Sequence, residues 1–180
     1  MSPQARFKGP QAAPRSLNEL MGQALTMERE AVARYTELAD MMDTHNNREV
    51  AELFRKMAGY EQLHVNQILA DMGWADDVVV PRHSGVWGAP ESPEVVPIEE
   101  MHYLMHPWHA LQLALSAEQR AEAFFAEMAG TAANEAVRQA AEEMRQEEAE
   151  HVALVREWLA KVPQPDADWA VDPDPPRYID

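Results

Sequence analysis

The chain has 180 residues, 46% of them apolar, with no cysteine and a formal charge of −16 from 31 acidic and 15 basic residues. That length suits one domain with a sizeable core. The lack of cysteine excludes disulfides and thiolate metal sites, including iron–sulfur centres, and so acidic a surface argues against nucleic-acid partners and against a role on anionic membrane surfaces.

Residues 1–15 hold three prolines and few apolar residues, and read as a flexible arm. This stretch lacks the apolar h-region of a secretory signal, and no apolar run approaches a membrane span, so the expected compartment is the cytoplasm. Helical patterning begins near Ser16, an N-cap candidate with Glu19 at capping-box spacing, and runs to about Asp43. A turn around His45–Asn47 leads to a second helix, about Arg48–Met72, with Gly73 as its C-terminal stop. The stretch 73–97 carries Pro81, Pro90, Pro93 and Pro97 with Gly85 and Gly88, and reads as a long connection, with a brief extended run expected at Val78–Val80. One or two helical turns fit 98–106. Pro107 suits the first position of a third helix ending near Gly130, and a fourth runs from about Asn134 to Lys161. Residues 162–180 form a Pro/Asp-rich tail. The expected fold class is therefore all-α: one bundle over 16–161, ferritin-like in having a single long crossover, 73–106, between helices 2 and 3.

The informative feature is a glutamate at the centre of each apolar stripe. Helical steps from Glu28 meet Leu25, Ala31, Val32 and Tyr35; those from Glu61 meet Phe54, Met57, His64 and Val65. The same walk from Glu118 meets Leu111, Leu115, Ala121 and Phe125, and from Glu148 meets Met144, His151, Val152 and Val155. A buried unpaired carboxylate costs several kcal/mol, and four converging in one core repel one another as well. Few bases fall on these faces, Arg145 being the clearest. Two divalent cations would balance the four negative charges, and two neutral imidazoles would complete the ligand set.

Glu61-Gln-Leu-His64 and Glu148-Ala-Glu-His151 each place a carboxylate and an imidazole one turn apart on one helix face. A Glu from each of two helices, with Glu-x-x-His from each of the other two, is the ligand pattern of di-iron carboxylate bundles. The halves also repeat: Glu28 and Tyr35 correspond to Glu118 and Phe125, and Met57, Glu61, His64 and Val65 to Met144, Glu148, His151 and Val152. The metal candidates are thus Glu28, Glu61, His64, Glu118, Glu148 and His151.

Blander readings apply to several neighbours. Glu99-Glu-Met-His102 also has the i, i+3 spacing but no counterpart in the repeat, so chance explains it; His106 and His109 read as loop, capping or partly buried histidines. In helix 4, Glu147 with His151 offers a competing register, but the repeat favours Glu148 and leaves Glu147 and Glu150 solvated or behind the ligands. Glu30 reads as surface. Tyr35 either donates its hydroxyl to a ligating carboxylate, acting behind the metal ligands, or is packing with a polar tip. A metal-free bundle with polar core residues would explain one such motif, but not four centred glutamates, two placed histidines and a repeat.

These segments resemble the rubrerythrin family of the ferritin-like superfamily: Glu28-Arg-Glu-Ala-Val-Ala-Arg-Tyr35, Phe54 through Glu61-Gln-Leu-His64, Glu118, and Glu148-Ala-Glu-His151, covering about 17–72 and 107–160. The resemblance implies two Fe ions bridged by Glu61 and Glu148, one served by Glu28 and His64, the other by Glu118 and His151. It also implies reduction of hydrogen peroxide, with Fe(II) oxidation or iron storage as relatives' activities. Two departures stand out. The four-cysteine rubredoxin-like module is missing, so an external electron donor is needed. The extra glutamate that many members carry one turn after the third-helix ligand is Ala121 here, with Glu122 next to it.

The leading expectation is a di-iron oxidoreductase acting on peroxide or dioxygen. The alternatives are an iron-handling protein of ferroxidase or storage type, and a non-enzymatic, metal-stabilised interaction module. Oxygen-rich sites with two imidazoles also accept Mn or Zn. Trp74, Trp87, Trp108 and Trp169 lie outside the regular helices or at their edges. With the family resemblance they point to a homodimer in which the crossover or tail contacts the neighbour, against the alternative that both fold back over their own bundle.

Overall fold

The computed structural model describes residues 14–80, 87 and 91–174. The arm up to residue 13, the crossover positions 81–86 and 88–90, and the tail end 175–180 lie outside that description. Four long helices make up the bundle: α1, Leu17–Thr44; α2, Arg48–Met72; α3, Pro107–Thr131; and α4, Glu135–Leu159. Among the described residues of the crossover there is one 3-10 turn, Ile98–Glu100. Among the described residues there is no strand, and Val78–Val80 belongs to no regular element.

Each helix begins where local chemistry offers a partner to its first N–H groups. The Ser16 hydroxyl accepts from the Glu19 N–H at 3.2 Å, while the Glu19 carboxylate reaches back to the Arg15 N–H, one residue earlier than a capping box requires. Asn47 and Asn134 cap α2 and α4 through the N–H groups of Val50 and Val137. Pro107 opens α3, where its missing N–H costs nothing. Gly73 ends α2 at φ 63°, a left-handed conformation that glycine adopts without a side-chain penalty.

The short turns make α1 and α2 one antiparallel pair and α3 and α4 the other; the pairs meet through α1 with α4 and α2 with α3. Two apolar clusters fill the interior. One, around Leu20, Leu25, Ile68, Phe124, Phe125 and Met128, occupies the end where α1 and α4 start. The other, around Leu38, Met42, Phe54, Leu111 and Val155, occupies the opposite end. Glu28, Glu61, Glu118 and Glu148 are buried between them, near the middle of their helices.

The crossover lies against this bundle. The Arg29 guanidinium donates to the carbonyls of Val78 (2.8 Å) and Asp76 (2.9 Å). Arg34 donates to the Val96 carbonyl and pairs with Glu91. Glu30, read as surface from its register, is half-buried and accepts the Ser92 N–H at 3.3 Å; its place is explained by the crossover above it, which helical spacing cannot register.

Candidate metal centre

The structure brings the six named residues together between the two apolar clusters. His64 Nδ1 lies 3.6 Å from a Glu28 oxygen and 3.3 Å from one of Glu61. In the other half, His151 Nδ1 lies 3.3 Å from a Glu118 oxygen and 3.4 Å from one of Glu148. The two imidazoles stack, with ring centroids 4.2 Å apart and planes 7° off parallel. The contacts of one half thus mirror those of the other, as expected of two helix pairs carrying one repeated pattern.

Donor atoms of Glu61, His64 and His151 lie within 4.8 Å of one another, as do those of Glu118, Glu148 and His151. The two groups share His151 and could each hold a metal ion. The carboxylates are otherwise orphaned. Apart from these imidazole nitrogens, both oxygens of Glu28 and of Glu118, and one each of Glu61 and Glu148, meet no hydrogen-bond donor. Buried acceptors without donors are rare in folded proteins, and here they belong to the residues that could hold metal. An oxygen-rich set with two imidazoles is suited to iron, manganese or zinc.

The electrostatics tell the same story from the proton side. Burial pushes the Glu28 carboxyl well above its ordinary range, and repulsion from Glu148 and Glu61 outlasts the help of His64. Burial raises Glu118 to about 8 and raises Glu148 too, both against the pull of His151. Burial by itself would lower the histidines, but the carboxylates reverse that: Glu28 and Glu61 bring His64 to about 10, and Glu118 and Glu148 bring His151 to about 11. Without metal, the centre holds protons where cations would sit.

Tyr35 is buried beside the cluster and stacks on Phe54 at 6.0 Å, but its hydroxyl has no hydrogen-bond partner, so the donation considered from the sequence is not made. Burial and the charges of Glu118, Glu61 and Glu94 keep the phenol protonated. Arg145 does not face the carboxylates. It pairs with Glu142 and Glu122, since its position on α4 turns it toward the rim. Glu147 and Glu150 are exposed. Glu99 is exposed on the 3-10 turn, and His102 accepts the Leu104 N–H through Nδ1. His109 Nδ1 accepts the His106 N–H, which makes it a capping residue of α3.

One residue was not anticipated. Glu94, in the crossover, is fully buried; its oxygen lies within 4.8 Å of oxygens of Glu28 and Glu61. The signal available was an acid inside the apolar run Pro93-Glu-Val-Val-Pro97, but outside a helix no periodicity says which way such a side chain points.

Residues 19–97 match the rubrerythrin family and residues 108–176 match a ferritin-like domain family. A crystal structure of an uncharacterized conserved protein from Magnetospirillum magnetotacticum MS-1 is 34% identical, with a TM-score of 0.64 over 84% of this chain and 98% of that one. The chain belongs to the rubrerythrin family. No curated protein matches it. As a rubrerythrin-family chain it is a di-iron carboxylate protein in its domain type. Among the described residues, no helix of this family member is long and apolar enough to cross a membrane.

Proposed function

We propose that the bundle holds two iron ions between Glu28, Glu61, His64, Glu118, Glu148 and His151, and reduces hydrogen peroxide or dioxygen with electrons from an external donor. The observation that carries this reading is the set of buried carboxylate oxygens without donors, converging beside two stacked imidazoles. Bound iron would supply the electrons for the oxidant. The chain supplies the rest. Four carboxylates offset the charge of two divalent ions, and the imidazoles add donors without adding charge. The apolar clusters on either side keep bulk water away from the centre. The histidines retain side-chain exposures of 22% and 19%, so a small oxidant would arrive on their side. Tyr35 stays a neutral phenol on the buried side and adds no charge to the cluster.

The test is anaerobic loading with Fe(II), followed by separate additions of peroxide and of oxygen. The expected result is rapid oxidation by one of them, retention of about two ions per chain, and repeated turnover with an added reductant. Consumption of Fe(II) far beyond the centre's capacity would favour iron handling instead. That reading has one observation behind it, the net charge of −16, which would gather cations.

Homodimer formation belongs to the same proposal, with its interface moved away from the tryptophans. Trp87 packs edge-on against Phe124 at 5.1 Å, and Trp169 sits over His109 at 3.9 Å and His102 at 5.1 Å. Trp74 packs against the first apolar cluster. These contacts lie within one chain, so the interface would lie on helix faces. Sedimentation at micromolar concentration should give a dimer that survives removal of residues 164–180; a monomeric full chain would overturn this.

A further inference from the structure

Among the described residues, Glu94 is the one fully buried acid that the internal repeat does not account for. Neither of its oxygens has a hydrogen-bond donor; Arg120 lies near enough to feel its charge but gives its N–H groups to backbone carbonyls instead. Burying such a group costs several kcal/mol unless something else compensates it. The chain nevertheless fixes the backbone on both sides of it. Arg120 of α3 donates from Nε to the Pro93 carbonyl (2.7 Å) and from Nη2 to the Val95 carbonyl (3.1 Å), the two carbonyls flanking Glu94. Arg34 of α1 holds Val96 and Glu91, and Glu30 holds Ser92. Two helices on different sides of the bundle thus clamp a strap whose buried charged side chain reaches the oxygens of Glu28 and Glu61. A residue needed only to fill space would not require a carboxylate, since leucine or methionine would do so at lower cost.

We infer that Glu94 is a fifth carboxylate ligand of the two-metal centre, delivered by the crossover to the side of Glu28 and Glu61, with Arg120 as its positioning residue. The inference rests on the two-metal reading above and extends it. Two consequences follow from charge and symmetry. Five carboxylates exceed the charge of two divalent ions by one, so the centre favours a higher metal charge than four carboxylates would. The repeat offers no counterpart in the other half, so the two metal positions differ: the one at Glu28 and Glu61 is richer in oxygen and binds first.

The test compares the metal-free full chain with Glu94→Gln, which keeps shape and removes charge, and with Glu61→Gln as reference. Each is titrated anaerobically with Fe(II) by calorimetry, and the melting temperature is read with and without metal. The expected wild-type isotherm has two unequal steps. In Glu94→Gln the tighter step weakens at least tenfold, the metal-dependent rise in melting temperature shrinks, and the metal-free form melts no lower than wild type. The midpoint potential of its iron-loaded form moves upward. Arg120→Met should weaken the same step although Glu94 is present, and Arg120→Lys should recover part of it. An unchanged isotherm in Glu94→Gln, with binding lost in Glu61→Gln, would overturn the role of Glu94 and leave the two-metal reading standing. A Glu94→Gln chain that melts lower without metal but gains as much from metal as wild type would make Glu94 structural, which also overturns the inference. Unchanged binding in both variants would remove the two-metal reading, and the inference with it.

Discussion

Adding Fe(II), Mn(II) or Zn(II) to the metal-free protein should raise its melting temperature by roughly 8–16 °C when free metal is about a thousandfold above its dissociation constant, a gain of about 4 kcal/mol. The reason is the cluster itself. Glu28, Glu61, Glu118 and Glu148 are buried, and most of their oxygens lack donors. Metal replaces protons and mutual repulsion with coordination, and this is open only to the folded chain. Glu61→Ala should abolish most of the gain, because Glu61 borders both Glu28 and His64 and shares a donor group with His151. Glu99→Ala should leave it intact, since Glu99 is exposed on the 3-10 turn although it too precedes a histidine at i, i+3. The measured quantity is the difference between loaded and metal-free melting for each variant, which cancels the cavity that the alanine leaves. Equal losses from the two changes would mean that the metal is held elsewhere.

Metal-free stability should fall as pH rises from about 5 to about 10, the reverse of the trend when metal is present. The sign follows from proton binding: stability falls with pH wherever the folded state holds more protons than the unfolded one. Glu118 is raised by burial from 4.5 to about 8, so across that window the folded chain keeps a proton that the unfolded chain has released. The carboxylates bring His64 from 6.5 to about 10 despite burial, and His151 from 6.5 to about 11. Their contribution is fully present below 6.5 and lost as pH climbs through the folded values. Each net proton is worth about 1.4 kcal/mol per pH unit, so the summed change across the window should reach several kcal/mol. Unfolding by urea at several pH values, with and without metal, measures both curves. Metal affinity should rise over the same range, because binding expels those protons. Glu118→Gln should flatten the lower part of the metal-free curve. A metal-free stability that instead rises between pH 5 and 8 would mean that the carboxylates and imidazoles are not buried together.

Much of this protein was legible because helices are local and periodic. A residue's face on a helix follows from its spacing alone, so Glu28, Glu61, Glu118 and Glu148 could be placed at the centres of apolar stripes without knowing what those stripes meet. His64 and His151 followed from one helical turn. The ends of α2 were readable for a similar reason: Asn47 and Gly73 act on backbone groups within a few residues of themselves. Chain order and one long connection then implied a ferritin-like bundle, and the bundle is what the chain forms.

The crossover obeys no such period. Its path depends on partners far away in sequence: Arg34 reaching Val96, Arg120 reaching the carbonyls beside Glu94, and Glu30 receiving Ser92. None of these contacts follows from local spacing, so Glu94 looked like any acid in a proline-rich loop and Glu30 like any acid off the apolar stripe. Arg145 failed in the opposite way. Its register sets it beside the stripe, but a long side chain near the edge of a helix face can turn outward, and Glu142 and Glu122 offered it partners at the rim. The helical sequence determined which carboxylates could enter the core, because periodicity fixes direction. Only the tertiary structure decided that a fifth carboxylate joins them, because that depends on where an irregular segment is tied down.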